Sequence, residues 1–346
     1  MGELDLGLML GYWTAQPRLD DADLALEAER LGFDSVWTAE SWGSDAVSTA
    51  AWIGARTSRI RVGTGVMQMS ARTPASSAMT ALTLDHLTQG RFVCGLGLSG
   101  PQVVEGWYGQ PFGKPLARTR EYVSIMRDIL AREDRLTNDG DHYPLPLPAD
   151  RPGAVGLGKS LKSITHPSGR HVPIWLGAEG PKNVAQTHDI ADGWLPIFLS
   201  PERFGATYGQ AFGPDGLDGI RPGFEIASPV FVNIAPTVEE GLIPVKWMLG
   251  FYIGGMGAQK ANFHKDLIGR MGFAEEAAVV QKLFLEGDQA GAIKAVPDAL
   301  ADEISLVGPE GRVRERLHRW VDSPVTTLLM MGRDAATMAI LADELS

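Results

Sequence analysis

The stretch Gly95-Leu96-Gly97-Leu98-Ser99-Gly100 spells G-x-G-x-x-G directly after the apolar run Phe92-Val93-Cys94. That string is the fingerprint of a dinucleotide-binding βαβ turn, and an acid, Glu121, follows about 20 positions later, where such a unit places its ribose contact. The setting argues otherwise. In a doubly wound nucleotide-binding fold the fingerprint opens the first strand–helix unit, and its last glycine lies inside the helix. Here three strand–helix units come first, Pro101 follows Gly100, and the next long helix begins near Leu116. Two readings remain. The glycines sit at the C-terminal mouth of a barrel strand and let the backbone approach a flat ligand, or they form a turn with no ligand.

Outward from this stretch the chain alternates. Residues 4–10 read as a strand. Residues 20–31 carry apolar side chains at helical spacing, with acids in the first turn and Gly32 as the stop. Strands follow at 33–38 and 60–66, helices at 46–56 and 74–87, and a fourth strand at 91–97. Pro74 suits a first helical turn and Gly90 lies past the end. Beyond the glycines come a helix at 116–131 and an irregular insertion near 133–171. The rhythm resumes with a strand at 172–177, a helix at 182–191, and strands at 193–197 and 225–235. A mostly helical stretch then gives a second insertion near 238–305. A helix at 312–321, a strand at 325–331 and a helix at 335–344 close the chain. About eight strands, each followed by a helix or an insertion, predict an α/β fold: a (β/α)8 TIM barrel of roughly 250 residues plus insertions. No linker or repeat divides it, so a single domain over 1–346 is expected.

The 346 residues include 44% hydrophobic and 21% charged side chains, with a net charge of −11. That is the balance of a soluble domain with a large core. Its sign opposes nucleic acid and anionic membranes. The single cysteine, Cys94, cannot form an internal disulfide and reads as a small buried strand residue. His86, His142, His166, His171, His188, His264 and His318 show no H-x-x-x-H spacing, so no metal site is expected. The apolar stretch near the N-terminus is too short for a signal peptide or a membrane span, and a cytoplasmic location is expected.

Other strand ends carry chemistry too. The first ends in Tyr12-Trp13, the second in Glu40-Ser41-Trp42, and the third in Gly63-Thr64-Gly65-Val66-Met67-Gln68. Another runs from Gly177 through Ala178, Glu179, Gly180 and Pro181 to Lys182, straight into a helix. Free N–H groups, a positive dipole end and a lysine would suit an anion there. An ordinary glycine turn with a solvated lysine would look the same. Together the mouths suggest a planar, phosphate-bearing cofactor across the barrel top. Tyr12, Trp13, Trp42, Trp107 and Met330 are expected to line a substrate pocket, although each aromatic could equally be core. Glu40, an acid among tryptophans, is the leading catalytic candidate. The competing reading makes it the partner of a nearby arginine.

The runs GTGVMQMSARTPASSAMTALTLDHLTQGRF, VEGWYGQPFGKPLARTREYVSIMRDIL and VPIWLGAEGPKNVAQTHDIADGW resemble the luciferase-like monooxygenase superfamily, and within it the actinobacterial branch that uses the deazaflavin coenzyme F420. The likeness spans nearly the whole chain. It implies a barrel with an insertion, a homodimer, and a cofactor ring at the C-terminal mouth. It also implies site residues. Glu40, with Ser41 beside it, takes the place of an acid contacting the ring. Gly65–Val66 matches a non-prolyl cis peptide that backs the ring, and Gln68 a polar contact just beyond. Leu98, Ser99, Gly100 and Val103 match a cofactor loop. Ala178, Glu179, Gly180, Pro181 and Lys182 match the phosphate side.

Two departures stand out. Sugar-phosphate and alcohol dehydrogenases of this resemblance carry a histidine where this chain has Ser41, and a glutamate where it has Gly100. The missing acid/base pair speaks against alcohol oxidation. The resemblance therefore implies hydride transfer between F420 and a small, rather apolar organic substrate, more in the sense of a reductase, with water or Glu40 supplying the proton. An FMN-dependent monooxygenase and a non-catalytic cofactor-binding protein are the alternatives.

Overall fold

The computed structural model describes residues 4–257 and 262–345. The part of the expected helical insertion at 258–261, and both chain ends, lie outside the described residues. The first half runs β1 (Asp5–Gly11), α1 (Asp21–Arg30), β2 (Ser35–Thr38), α2 (Ala46–Arg56), β3 (Arg61–Thr64), β4 (Met67–Gln68), α3 (Pro74–Leu87), β5 (Phe92–Gly97), α4 (Pro101–Gly106) and α5 (Pro115–Ala131). The second half runs β6 (Ile174–Gly177), α6 (Pro181–Ile190), β7 (Gly193–Leu195), α7 (Phe204–Tyr208), β8 (Glu225–Ile234), α8 (Val238–Gly255), α9 (Phe263–Ile268), α10 (Ala274–Leu285), α11 (Gln289–Ala295), α12 (Asp298–Glu303), β9 (Ser305–Gly308), α13 (Glu310–Val321), β10 (Thr327–Met331) and α14 (Ala335–Glu344).

The strands pair in parallel in the order β10-β1-β2-β3-β5-β6-β7-β8, and β8 pairs β10 to close the ring. This is the expected (β/α)8 barrel. Strand β8 is long enough to serve twice: its first half lies against β10, and Phe231–Ile234 pairs β9. The sequence reading assigns no strand between the helical insertion and the helix at 312–321, where β9 lies, because four residues flanked by short helices carry no period of their own.

Large and small residues interlock inside the barrel. Met9, Trp37, Val93, Trp175, Leu195, Ala227 and Leu329 form one buried cluster, with Val66 and Met331 packed on it. The Trp37 and Trp175 rings lie 5.0 Å apart. Glycines make this possible. A Cβ on Gly63 would stand 2.4 Å from Trp37, and one on Gly193 2.6 Å from Trp175. At the N-terminal end Arg61 reaches Asp34 at 2.6 Å and Glu225 at 2.9 Å, tying β3 to β8.

Met330 is a correction. It is fully buried in the cluster outside the barrel, between strands and helices, whereas Leu329 and Met331 belong to the interior. Side chains alternate along a strand, so the mouth-facing methionine of this pair is Met331.

The insertion at 133–171 is irregular, with one antiparallel bridge between Asn138 and Leu145. Glu121 anchors it: the carboxylate accepts from Asn138 Nδ2 at 2.8 Å and from the His142 backbone at 3.1 Å. The acid that suggested a ribose ligand thus holds a loop.

Candidate functional site

The site begins where β3 ends. The peptide Gly65–Val66 is cis. Gly65 N donates to Thr38 O at 2.6 Å, and the chain then re-enters the sheet as β4, which pairs Leu96 and Gly97 of β5. The glycines of the opening motif serve this crossing. A Cβ on Gly95 would lie 1.8 Å from Thr64 O, and one on Gly97 2.3 Å from Val66 Cγ2. On the other side, a Cβ on Gly177 would lie 3.3 Å from Val66 Cγ1. Val66 therefore sits between β5 and β6 at the mouth, half-buried, as a platform that two glycines, Gly97 and Gly177, make room for. The Cβ direction of Gly65 points at Met9 Cε, 2.9 Å away, and so into the barrel rather than toward the mouth.

Leu98 and Ser99 follow at the β5 end, both half-buried, and Ser99 has φ +61. A non-glycine residue in the left-handed region is uncommon and tends to mark a functional loop. Pro101 then opens α4 immediately, with Gly100 as its N-cap. This short helix comes before the expected long one, which begins at Pro115; proline fits the first helical position, where no N–H is needed. Val103 is half-buried on α4, and Trp107 lies exposed just past its end.

Glu40 follows β2, and its side chain is 4% exposed. Its Oε1 lies 2.6 Å from Arg72 Nη1 and 2.6 Å from the Gln68 backbone N. Its Oε2 accepts from Arg72 Nη2 at 3.0 Å and Ala46 N at 3.3 Å. Arg72 also reaches Asp45. The carboxylate is filled with donors, two of them from one forked guanidinium. Of the two readings of Glu40, the arginine partner is the one found, and its role as catalytic acid is corrected. Both of its oxygens already accept hydrogen bonds from the chain itself. It fixes the backbone of Gln68, whose side-chain Nε2 donates to Glu40 O at 3.3 Å. Gln68 Oε1 is buried and has no partner among the described residues. A buried amide oxygen left open needs a donor from outside the chain.

Ser41 is half-buried and Trp42 exposed on the loop after Glu40. Trp13 is pinned by its indole N–H to Asp21 at 3.0 Å and by its backbone N–H to Ser44 at 2.8 Å, so it braces two mouth loops.

Just beyond β6, Gly180 caps α6 without a side-chain bond, and nothing lies within 4 Å of where its Cβ would be. Pro181 and Lys182 are exposed in the first turn. Ala178 is buried, and its carbonyl accepts from Trp194 Nε1 at 2.8 Å. The open helix end and the lysine suit an anion. Glu179 does not: its carboxylate lies 2.9 Å from His264 Nδ1. Its expected place among phosphate contacts is corrected, since a second anion would be repelled.

Sequence reasoning missed Arg72, Tyr252 and His264. Arg72 meets Glu40 across 32 positions, and no spacing rule links them. Among the described residues no cluster of His, Cys, Asp and Glu could hold a metal ion, and no helix is long and apolar enough to cross a membrane.

Comparison with known proteins extends this geometry. A Mycobacterium tuberculosis H37Rv protein, provisionally named a coenzyme F420-dependent oxidoreductase, is 49% identical over 98% of both chains. The 5,10-methylenetetrahydromethanopterin reductase of Methanolobus tindarius is 26% identical over 92% of this chain and 91% of its own. The solved coenzyme F420-dependent tetrahydromethanopterin reductase of Methanopyrus kandleri superposes with a TM-score of 0.78 at 18% identity, covering 99% of this chain and 98% of that one. The profile of luciferase-like monooxygenases matches residues 12–327, across the barrel and both insertions. With this match over nearly the whole barrel, the chain belongs to the luciferase-like monooxygenase family.

Proposed function

We propose that this protein is an oxidoreductase that binds coenzyme F420 at the barrel mouth and passes hydride from its reduced form to a small, apolar acceptor. The observation that carries the reading is the unpartnered Gln68 Oε1 on β4, with the Val66 platform beside it and the open α6 N-terminus two strand ends along the mouth. The 49% identical relative, by its name, supports the choice of F420.

The residues divide the work. Val66 would back the ring, and the loop Leu98–Ser99 would border it. Gln68 Oε1 would accept a ring N–H, while Glu40 and Arg72 hold Gln68 in place. The α6 N-terminus, with Gly180 and Lys182, would hold a phosphate. When bound, the deazaflavin supplies hydride chemistry, and its ring carbon in place of a flavin nitrogen disfavours oxygen chemistry. Tyr12, Trp42, Trp107 and Met331 would shape the acceptor's side of the mouth. With Ser41 and Gly100 where a base would stand, alcohol oxidation lacks the roughly 10²–10⁴-fold help of general base catalysis.

The same reading makes the protein a cytoplasmic homodimer. The exposed Trp52, Met79 and Leu87 on α2 and α3 offer an apolar face for a second copy. A monomer by light scattering at micromolar concentration would count against it. The function is tested by the absorbance of protein purified from a host that makes both F420 and FMN. A deazaflavin spectrum is expected. A flavin spectrum would move the protein to FMN-dependent oxygenation, and rapid F420 reduction by glucose 6-phosphate or isopropanol would overturn the reductase direction.

A further inference from the structure

Four residues form a bridge over the barrel mouth. Tyr12 follows β1, and its phenol lies beside that of Tyr252 near the end of α8. The Tyr252 ring meets the His264 ring edge-on at 4.8 Å. His264, on α9, places Nδ1 2.9 Å from Glu179 Oε1, at ion-pair distance though without the alignment of a hydrogen bond. Glu179 follows β6. In the ring order β1-β2-β3-β5-β6, the two anchoring strands stand four places apart in an eight-strand barrel, on opposite sides. The bridge therefore crosses the mouth. One half beside it, at β2, β3 and β5, holds Glu40, the Val66 platform and the Leu98–Ser99 loop. The helices that supply Tyr252 and His264 come from the insertion, outside the repeating barrel.

The pair at the bridge's end is only partly satisfied. The His264 and Glu179 side chains are 16% and 17% exposed, and Glu179 Oε2 is buried with no partner among the described residues. Arg270 holds the Glu179 backbone carbonyl at 2.9 Å and leaves the carboxylate to the histidine. Phe198 packs edge-on against both His264 and Tyr252. An imidazole beside a carboxylate, walled by aromatic rings, suits an acceptor that is planar and apolar with one oxygen to be protonated.

Resting on the proposed F420 reading, we infer that His264 binds and protonates the carbonyl oxygen of an α,β-unsaturated carbonyl substrate, with Glu179 as its positioning residue. The acceptor's β-carbon takes hydride, two electrons and a hydrogen, from the reduced cofactor, which is thereby oxidised. The C=C π pair shifts to give an enolate, and its oxygen takes the proton of the imidazolium. His264 is left neutral and regains a proton from water, while the enol reverts to the ketone in solvent. This is the proton that Glu40, filled by Arg72, does not provide.

A redox-inert phenol tests the oxygen site without turnover. The protein is first titrated with oxidised F420 by fluorescence, and the complex is then titrated with 4-chlorophenol by calorimetry. Wild type is expected to bind 4-chlorophenol. His264→Gln and His264→Asn are expected to weaken it about tenfold, the loss of one hydrogen bond to a charged group, with F420 affinity and melting temperature unchanged. Glu179→Ala should weaken it as well, and Glu179→Asp should recover part of the loss. No 4-chlorophenol binding by the wild-type complex, or equal binding by both His264 variants, overturns the inference. Failure of F420 to bind in the first step instead overturns the functional reading beneath it.

Discussion

Arg72 forks onto Glu40, with Nη1 2.6 Å from Oε1 and Nη2 3.0 Å from Oε2, and so locks the end of β2 to the segment that follows β4. The Glu40 side chain is 4% exposed and that of Arg72 17%. Removing one member of such a buried pair leaves the other charge without compensation. Arg72→Met is expected to cost about 3 kcal/mol in urea unfolding. Glu40→Gln, which keeps an acceptor for Gln68 N, should cost about 1–2 kcal/mol. A loss below about 0.5 kcal/mol for Arg72→Met, the scale of an ordinary surface change, would contradict a structural role for the pair.

The glycines of the mouth divide into two kinds. Gly95 faces the carbonyl of Thr64, 1.8 Å from where a Cβ would be, and that backbone cannot yield without separating β3 from β5. Gly180 faces open space. Gly95→Ala is expected to cost more than about 3 kcal/mol or to prevent folding, whereas Gly180→Ala should stay within about 0.5 kcal/mol of wild type. Thermal unfolding of the two variants side by side checks this, and equal melting points would contradict it.

The binding role of α6 carries its own signature. Lys182 is exposed, so its attraction for a phosphate is screened by solvent. Lys182→Ala should weaken F420 binding by about 1 kcal/mol at low salt, and the difference should shrink as salt rises toward about 1 M. An effect independent of salt would remove the phosphate from this helix end.

Acid stability should depend on Glu29. Burial pushes its carboxyl up, but the N–H groups of Ile60, Arg59 and Ser58 and the Ser58 hydroxyl outweigh this and hold it at about 2, below its ordinary 4.5. A depressed folded value means stability present above pH 4.5 and lost as pH falls toward 2. The stability gap between wild type and Glu29→Gln should therefore be widest near neutrality and narrow between those limits. A gap that widened in acid would reverse the sign.

The barrel was legible because its punctuation is local. Pro74 and Gly90 bracket α3, Gly32 ends α1, and each strand is a short apolar run. The platform was legible only through resemblance, since nothing in Gly65-Val66 by itself announces a cis peptide. What stayed hidden depends on distant pairs. Arg72 meets Glu40 only through the fold, across 32 positions of sequence. His264 read as one more helical histidine until α9 was carried over the mouth to Glu179. Met330 was misjudged by one residue, which on a strand reverses the face.

The most direct test of the functional account is an equilibrium titration of the ligand-free protein with oxidised F420 and with FMN, under identical conditions. Micromolar or tighter binding of F420, at least tenfold tighter than FMN (about 1.4 kcal/mol), is the expected result. Tight FMN binding with no detectable F420 binding would contradict it.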